Sequence, residues 1–170
     1  MVGRLTIGKE GFEDLDARMR SLVETADGER ATYLALADED AQAFESVMAS
    51  FKLPKGTDEE KMARTLRIQE AYGAAADVPL QLAKRAVQLM ELAEDATALG
   101  NPHAASDGYS AGTLLFAAAL SAMANVRINA SGLKDQAKGQ GLVDECDALR
   151  ERADALLQQI EEAFLLRLAT

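Results

Sequence analysis

The sequence predicts an all-α protein, folded as one multihelical domain of about five or six helices over residues 1–170. Residues that favour helices, above all Ala, Leu, Glu, Arg and Gln, dominate a composition with no Trp and only three Pro. Apolar residues recur every three or four positions through most of the chain, which is the spacing of one helix face. No alternation of strand and helix patterns is present, and a 48% apolar share is enough for one core.

The first part of the chain is expected to form a long helical region followed by a turn. An apolar stripe runs through residues 12–51, and Asp27-Gly28 either interrupts it or merely weakens it. Residues 53–56, Leu-Pro-Lys-Gly, break the pattern. Thr57 and Glu60 then stand three residues apart, which is the signature of a capping box at the start of the next helix.

Three features are expected to divide the rest of the chain. Pro79 should kink or split its helix, because a mid-helix proline removes a hydrogen bond. Gly100 suits a left-handed cap at the end of the following helix, with Pro102 preventing its continuation. Residues 138–141, Lys-Gly-Gln-Gly, are interpreted as a loop that leads into a last helix over residues 142–168.

The central stretch combines an apolar helix with polar ends. Gly108 to Val126 is uncharged over about 19 residues, close to the ~20 that a membrane span needs, but its Ser, Thr, Gly and Asn content favours a buried core helix and no membrane partner. Asp107 is either an N-cap or a carboxylate held at the mouth of a pocket. Asn125 and Asn129 share one helix face, where their amides either reach solvent or line a polar pocket.

A second candidate carboxylate lies in the acidic run at residues 38–40. Such a cluster usually forms a solvated face. Asp40 differs from its neighbours because it lies four residues before Phe44, and therefore on the apolar side of the same helix.

Charge and cysteine content narrow the functional classes. The net charge of −10 argues against a nucleic-acid partner, which normally needs a basic surface. The single cysteine, Cys146, cannot form an internal disulfide and indicates a cytoplasmic location. Its acidic neighbours argue against a nucleophilic role. No metal site is expected, because His103 is the only histidine and lacks the spacing of a ligand set.

Five segments, in this order and at this spacing, carry a resemblance to a known family: residues 5–9 (LTIGK), 40–61 (DAQAFESVMASFKLPKGTDEEK), 68–80 (IQEAYGAAADVPL), 100–107 (GNPHAASD) and 125–129 (NVRIN). As a set they resemble the cyclodeaminase/cyclohydrolase family of folate enzymes. That family includes the cyclodeaminase half of formiminotransferase-cyclodeaminase and the stand-alone methenyltetrahydrofolate cyclohydrolase. The resemblance runs over nearly the whole chain.

The resemblance implies an intertwined all-helical homodimer, with a tetrahydrofolate derivative bound as substrate near the interface and no prosthetic group. It implies that Asp40 and Asp107 are the catalytic carboxylates. The implied substrate-binding residues are Lys9, Asn101, Ser106, Asn125 and Asn129, with Lys55 and Arg127 as candidates for the glutamate carboxylates of the folate.

The resemblance favours hydrolysis of 5,10-methenyltetrahydrofolate to 10-formyltetrahydrofolate, because no fused transferase domain is present. The alternative is a formiminotetrahydrofolate cyclodeaminase, which releases ammonia and forms the methenyl compound. The family also carries an upstream Gly-rich loop and small-residue helix, which this chain lacks. A further alternative is therefore an N-terminally truncated, non-catalytic member with an apolar groove left open.

Overall fold

The computed structural model describes residues 1–169, which contain five α-helices and no β-strand. The helices are α1 (Val2–Thr6), α2 (Asp16–Phe51), α3 (Asp58–Leu99), α4 (Ala105–Ser131) and α5 (Gln136–Leu168). Short 3₁₀ turns at Glu13–Leu15 and Pro102–Ala104 lead into α2 and α4. The all-α prediction is confirmed for the part of the chain that is described.

The helix α3 lies at the centre, with α2, α4 and α5 packed around it. Contacts between their side chains show that α2 and α4 run antiparallel to α3, whereas α5 runs parallel to it. Alanine and a few larger side chains fill the core, including Ala83, Ala86, Met90, Ala119, Val126 and Ile160. Glycines at two crossings let the helices approach closely, because Gly108 lies against Thr97 and Gly112 against Ile160.

Replacing Gly108 by alanine is expected to destabilise the fold by about 1–3 kcal/mol, because the new methyl group would overpack the α3–α4 crossing. A Cβ atom there would lie 3.1 Å from the backbone nitrogen of Thr97 and 3.2 Å from its Cα, neither of which can move aside alone. Gly141→Ala is the matched control. No atom lies within 4 Å of its Cβ position on α5, so alanine there should stabilise the helix by roughly 0.5–1 kcal/mol. Equal urea-unfolding midpoints for the two variants would contradict this account.

Neither Asp27-Gly28 nor Pro79 ends a helix, so an interruption at the first position and a split at the second are both wrong. Asp27-Gly28 lies inside α2, and Pro79 lies inside α3. Pro79 has no N–H to donate to the carbonyl of Ala75, four residues earlier. The side-chain amide of Asn129 on α4 donates to that carbonyl instead, at 2.8 Å. Asn129 therefore compensates for the missing hydrogen bond, and α3 passes through the proline.

The last two local predictions also need correction. Residues 138–141 are helical, because α5 begins at Gln136, where the Asp135 carboxylate accepts a hydrogen bond from the Lys138 backbone N–H at 3.0 Å. Gly100 is extended, with φ −72° and ψ −175°, and is not a left-handed cap. A side chain at Gly100 would instead collide with the carbonyl of Ala96 and with Val2, so glycine is required by the close approach of α1.

The helix α2 is attached to α3 largely through polar contacts. Few of its 36 residues are buried: Met19, Leu36, Val47 and Ser50. Arg18 donates two hydrogen bonds to Asp95, at 3.0 and 2.5 Å. About three turns further along the contact, Arg85 on α3 donates to both carboxylate oxygens of Glu29, at 2.8 and 3.0 Å.

The α2–α3 turn projects beyond the other helices as an arm, which we define as residues 44–67. The side-chain amide of Gln69 donates to the carbonyl of Gly132 at 3.1 Å, so this point of α3 is level with the end of α4. The part of α3 before Gln69 therefore extends roughly 15 Å past α4. The arm carries exposed apolar side chains: Phe44, Met48, Phe51, Leu53, Met62 and Leu66.

One face of α4 is also open. Among the described residues, one helical stretch, Pro102–Ser131, is long and apolar enough to cross a membrane by length and composition, a test that core helices of soluble proteins also pass. Only 28% of its most apolar window is buried. The expectation of a buried core helix is therefore met on one side only. The exposed side, which we call the outer face of α4, consists of Ser110, Ala111, Leu114, Ala117, Ala118, Ser121, Asn125 and Ile128.

Candidate functional site

Asp107 lies in the first turn of α4 and is not the N-cap of that helix. The N-cap is Ala104, whose side chain makes no capping hydrogen bond. The Asp107 carboxylate is half-buried and is placed where the unpaired N–H groups of the helix favour a negative charge. Because Ala104 is the N-cap, the interpretation of Asp107 as a helix cap is wrong. Asp107 borders a groove between α2 and α4, where its side chain can face a ligand.

The groove has a volume of about 740 Å³, within the ~300–1,000 Å³ of typical ligand pockets. Its floor is α3, and α1 closes one end. The walls are mainly apolar, with Val2, Leu22, Leu34, Leu89, Leu92, Ala96, Leu114 and Leu115 among the lining residues. Polar groups enter from both long walls, Asp107 from α4 and Glu29, Arg30 and Tyr33 from α2.

Tyr33 is expected to ionise about two pH units later than an ordinary tyrosine. Burial, reinforced by the charge of Glu29 and opposed by that of Arg85, raises the pKa of Tyr33 from 10.0 to about 12. The stability that this phenol contributes is therefore complete below pH 10.0 and is lost as the pH rises towards about 12. An ultraviolet phenolate titration should show one late step that Tyr33→Phe removes. Persistence of that step in the variant would contradict the assignment.

Lys9 and Asn101 lie in direct contact near the same end of α4. The Lys9 ammonium donates to the side-chain oxygen of Asn101 at 2.8 Å. Asn101 is fixed in turn, because its backbone N–H donates to Thr6 at 2.9 Å and its side-chain oxygen accepts from the His103 N–H at 3.1 Å. Ser106 is exposed and immediately precedes Asp107. We call Lys9, Asn101, Ser106 and Asp107 together the Asp107 end.

Asp40 lies about two turns beyond Tyr33 on α2. It is half-buried, and its face of the helix also carries Leu36 and Val47, which are buried. Phe44, from which its orientation was inferred, lies one turn further along the same side of the helix but is 64% exposed, so it does not mark a buried face. Within residues 1–169 the Asp40 carboxylate has no hydrogen-bond or ion-pair partner.

The other predicted binding residues differ in their surroundings. Asn125 is exposed on the outer face of α4, and Asn129 donates to the Ala75 carbonyl. Arg127 points towards α5, where it forms a 2.8 Å ion pair with Asp147. Lys55 is exposed in the loop of the arm. Asp40, Asn125 and Asn129 lie at a similar height along the bundle, and we call them the Asp40 end.

The Asp107 end and the Asp40 end lie far apart in one chain. Gly108 is level with Thr97 on α3, whereas Asn129 is level with Ala75. The Tyr33 hydroxyl donates to the Leu82 carbonyl at 3.4 Å, so Tyr33 is level with Leu82. Asp40 is seven residues further along α2, which runs antiparallel to α3, and is therefore level with about residue 75. At 1.5 Å per residue the two carboxylates are separated by roughly 30 Å along the helices. A single chain therefore does not bring them into one pocket.

A comparison with protein families places this chain in a known family. The family model described as formiminotransferase-cyclodeaminase matches residues 1–148. The chain belongs to the formiminotransferase-cyclodeaminase family. The family resemblance in the sequence is thus confirmed.

Two curated relatives within this family match nearly all of the chain. A methenyltetrahydrofolate cyclohydrolase from Methylorubrum extorquens is 38% identical over 162 residues, which cover 95% of this chain and 78% of the relative. A formimidoyltransferase-cyclodeaminase from Sus scrofa is 36% identical over 160 residues, which cover 94% of this chain. The chain spans only 28% of that longer relative.

A solved structure from the family has the same fold. The crystal structure of formiminotetrahydrofolate cyclodeaminase from Thermotoga maritima matches with a TM-score of 0.85 and 27% sequence identity. The match covers 96% of this chain and 78% of that one. The helical architecture described above is therefore a known architecture of the family.

Three groove residues of this family member were missed from the sequence. Glu29, Arg30 and Tyr33 follow Asp27-Gly28, where the sequence leaves open whether the helix is interrupted. Once α2 is continuous, Arg30 and Tyr33 share a face with Leu22 and line the groove. The helical spacing of these residues from Leu22 was the signal that could have found them.

Neither His103 nor Cys146 joins the groove. His103 is exposed in the 3₁₀ turn before α4. Burial raises the pKa of the Cys146 thiol, opposed by Arg127 and reinforced by Asp147 and Glu145, so the thiolate is disfavoured. Among residues 1–169 no group of three or more His, Cys, Asp or Glu side chains is placed to hold a metal ion.

Proposed function

We propose that this chain is a methenyltetrahydrofolate cyclohydrolase, which hydrolyses 5,10-methenyltetrahydrofolate to 10-formyltetrahydrofolate. The observation that carries the proposal is the position of Asp107, a half-buried carboxylate at the rim of an apolar groove of ligand size. The 38% identity to a cyclohydrolase over almost the whole chain supports the choice of reaction.

A carboxylate at this position suits the reaction, because the methenyl bridge between N5 and N10 is cationic. Asp107 stabilises that charge and accepts a proton from the water that attacks the bridge carbon. The adduct is a neutral carbinolamine. Cleavage of the bond from the bridge carbon to N5 then forms the formyl group on N10, while the hydroxyl proton is transferred to N5. One proton is released overall, and the reaction needs no prosthetic group or metal ion.

The groove provides separate contacts for the parts of a folate. Its apolar walls suit the flat ring systems, and a carboxylate pairs well with the N–H donors of a pterin. Arg30, exposed at the groove, and Lys9, beside Asn101, are the nearby cations for the glutamate carboxylates. Lys55 lies on the arm and Arg127 is paired with Asp147, so neither reaches this groove within its own chain.

The alternative is a formiminotetrahydrofolate cyclodeaminase, in which N10 attacks the formimino carbon on N5 and ammonia leaves. The fold match to a solved cyclodeaminase favours this candidate. That structure is covered over 78% of its chain, the same share as the cyclohydrolase, so the extent of the match does not separate the two activities. The preference rests on sequence identity alone.

We also propose that the enzyme is a cytoplasmic homodimer. The outer face of α4 and the apolar side chains of the arm are the surfaces that pairing would cover. The exposed apolar area is unusual for a monomer, in which large apolar patches are rare. The low reactivity of a single buried thiol is compatible with a cytoplasmic location.

The test of function is to add the purified chain to 5,10-methenyltetrahydrofolate and follow the near-ultraviolet band of the methenyl bridge. Protein-dependent loss of the band, faster than the spontaneous rate, is the expected result. Growth of the band from 5-formiminotetrahydrofolate would favour the cyclodeaminase. No change in either assay, together with folate binding, would favour a non-catalytic family member.

A further inference from the structure

We propose that a folate lies in the groove in one fixed direction, with its pterin at the Asp107 end and its glutamate carboxylates on Arg30. Arg30 is then the residue that makes the site specific for a charged tail. This assignment rests on the proposed folate chemistry, and it gives each end of the groove a part of that substrate. Its basis is a pair of opposite charges at the two ends of an apolar channel.

Arg30 is an unpaired cation at the groove. It lines the groove from α2, and its side chain is exposed there. Within residues 1–169 its guanidinium forms no hydrogen bond and no ion pair. The adjacent Glu29 does not neutralise it, because both oxygens of that carboxylate accept hydrogen bonds from Arg85, at 2.8 and 3.0 Å. Arg30 therefore keeps its planar fork of donors for a carboxylate of the ligand.

The distance between the two charges fits an extended folate. Asp107 is level with about residue 98 of α3 and Arg30 with about residue 84, so their backbones are roughly 20 Å apart along that helix. Side chains tilt towards the start of their own helix, so an extended arginine at position 30 covers roughly 6 Å of this distance. About 15 Å then separates the carboxylate from the guanidinium.

A folate supplies this length between its two charged parts. The bridge carbon, which is cationic in the methenyl form, lies roughly 10 Å from the glutamate carboxylates when the molecule is extended. A contact of about 3 Å at each end accounts for the remainder. One ligand can therefore reach Asp107 and Arg30 together.

The middle of the groove suits the uncharged link between these parts. Leu89 and Leu92 from α3 and Leu114 and Leu115 from α4 line it between the two charges. The p-aminobenzoyl ring joins N10 to the glutamate and is the part of a folate that fits apolar walls. The pterin needs hydrogen-bond partners around its edges, and these are provided by the polar side chains of the Asp107 end.

The reverse direction would place the tail near Lys9 and the pterin at Arg30. Lys9 already donates to Asn101 at 2.8 Å, and its ammonium lies 5.2 Å from the ring centre of Phe12. The N–H donors of the pterin would face a guanidinium, which cannot accept a hydrogen bond. Charge and hydrogen bonding therefore both favour the direction with the tail on Arg30.

The test compares 5,10-methenyltetrahydrofolate with its diamide, in which both glutamate carboxylates are uncharged amides of nearly the same size. For the wild type we expect a KM about 10-fold higher with the diamide. Arg30→Gln should raise the KM of the folate by the same factor and leave that of the diamide unchanged. The kcat should stay within about twofold for both, because the tail contact is the same in the ground and transition states. Arg30→Lys should restore part of the discrimination.

Arg20→Gln is the matched control. Arg20 is also on α2, but it pairs with Asp16 at 3.4 Å and does not line the groove, so the ratio of the two KM values should stay as in the wild type. Added salt should move the wild-type ratio towards one, since it screens an exposed contact. Equal KM changes for both substrates in Arg30→Gln, or none, would overturn the proposal. So would a loss confined to the folate in Lys9→Gln, which would place the tail at the opposite end.

Binding without turnover separates this proposal from the proposed reaction. Isothermal titration calorimetry with 5-formyltetrahydrofolate and its diamide measures the same tail contact. A difference in Kd that depends on Arg30, in a protein without activity, would refute only the proposed hydrolysis. Turnover without such a difference would refute only the role of Arg30. Absence of both binding and turnover would refute both.

Discussion

Replacing Asp107 by asparagine is expected to lower the kcat of methenyltetrahydrofolate hydrolysis by about 10²- to 10⁴-fold, the range of effects for a lost general base. Asparagine keeps the size of the side chain and can still accept a hydrogen bond. It cannot accept the water proton, and it provides no negative charge for the cationic bridge. Steady-state rates from the decay of the methenyl band measure the effect.

The fold should tolerate this change. Asp107 lies in the first turn of α4, where loss of its charge costs about 0.3–1 kcal/mol through the helix dipole. Asp38→Asn is a suitable control, because Asp38 is an exposed carboxylate without a contact to the groove. An unchanged kcat in Asp107→Asn, or an equal loss in Asp38→Asn, would remove Asp107 from the mechanism.

Replacing Ala118 by arginine is expected to convert the proposed homodimer to a monomer. Ala118 is exposed in one chain, so the arginine can be accommodated without disturbing the core. Pairing in the proposed homodimer covers the outer face of α4, so the change places a long cation in that contact, at a cost of several kcal/mol. Sedimentation velocity measures this effect, and the methenyl assay shows whether turnover depends on pairing.

Ala155→Arg gives a matched control with the same substitution on an exposed position of α5. It should remain dimeric and active. Circular dichroism should show unchanged helix content in both variants. An Ala118→Arg protein that is monomeric and fully active would show that pairing and catalysis are independent.

Local signals were sufficient to predict some boundaries of the fold. The capping box at the start of α3 is present, with the Glu60 N–H donating to Thr57 at 3.2 Å and the Thr57 N–H donating to Glu60 at 3.1 Å. The effect of Pro79 was mispredicted for a physical reason. The hydrogen bond that keeps α3 intact comes from Asn129, which is distant in sequence and meets Ala75 only after α4 has packed. A local rule cannot include that donor.

The candidate site was harder to predict than the fold. Asp107 could be selected from its place before an apolar helix, and Asp40 from its spacing to apolar neighbours. Their separation depends on how far α2 and α3 run without a break, which the sequence leaves open at both Gly28 and Pro79. Arg30 and Tyr33 were not recognised as groove residues, because the face of α2 on which they lie is defined only when the helix continues through Gly28.

The attachment of α2 by ion pairs has a consequence for folding. With little apolar area buried along α2, its contact with α3 depends on Arg18–Asp95 and Glu29–Arg85, whose Coulomb energy falls as salt increases. The α3–α4–α5 unit also has ion pairs between its helices, including Lys84–Glu145 and Arg127–Asp147, but its buried apolar core holds it together when salt screens them. Native-state hydrogen exchange should therefore resolve two cooperative units, with α2 opening first and more readily at high ionic strength.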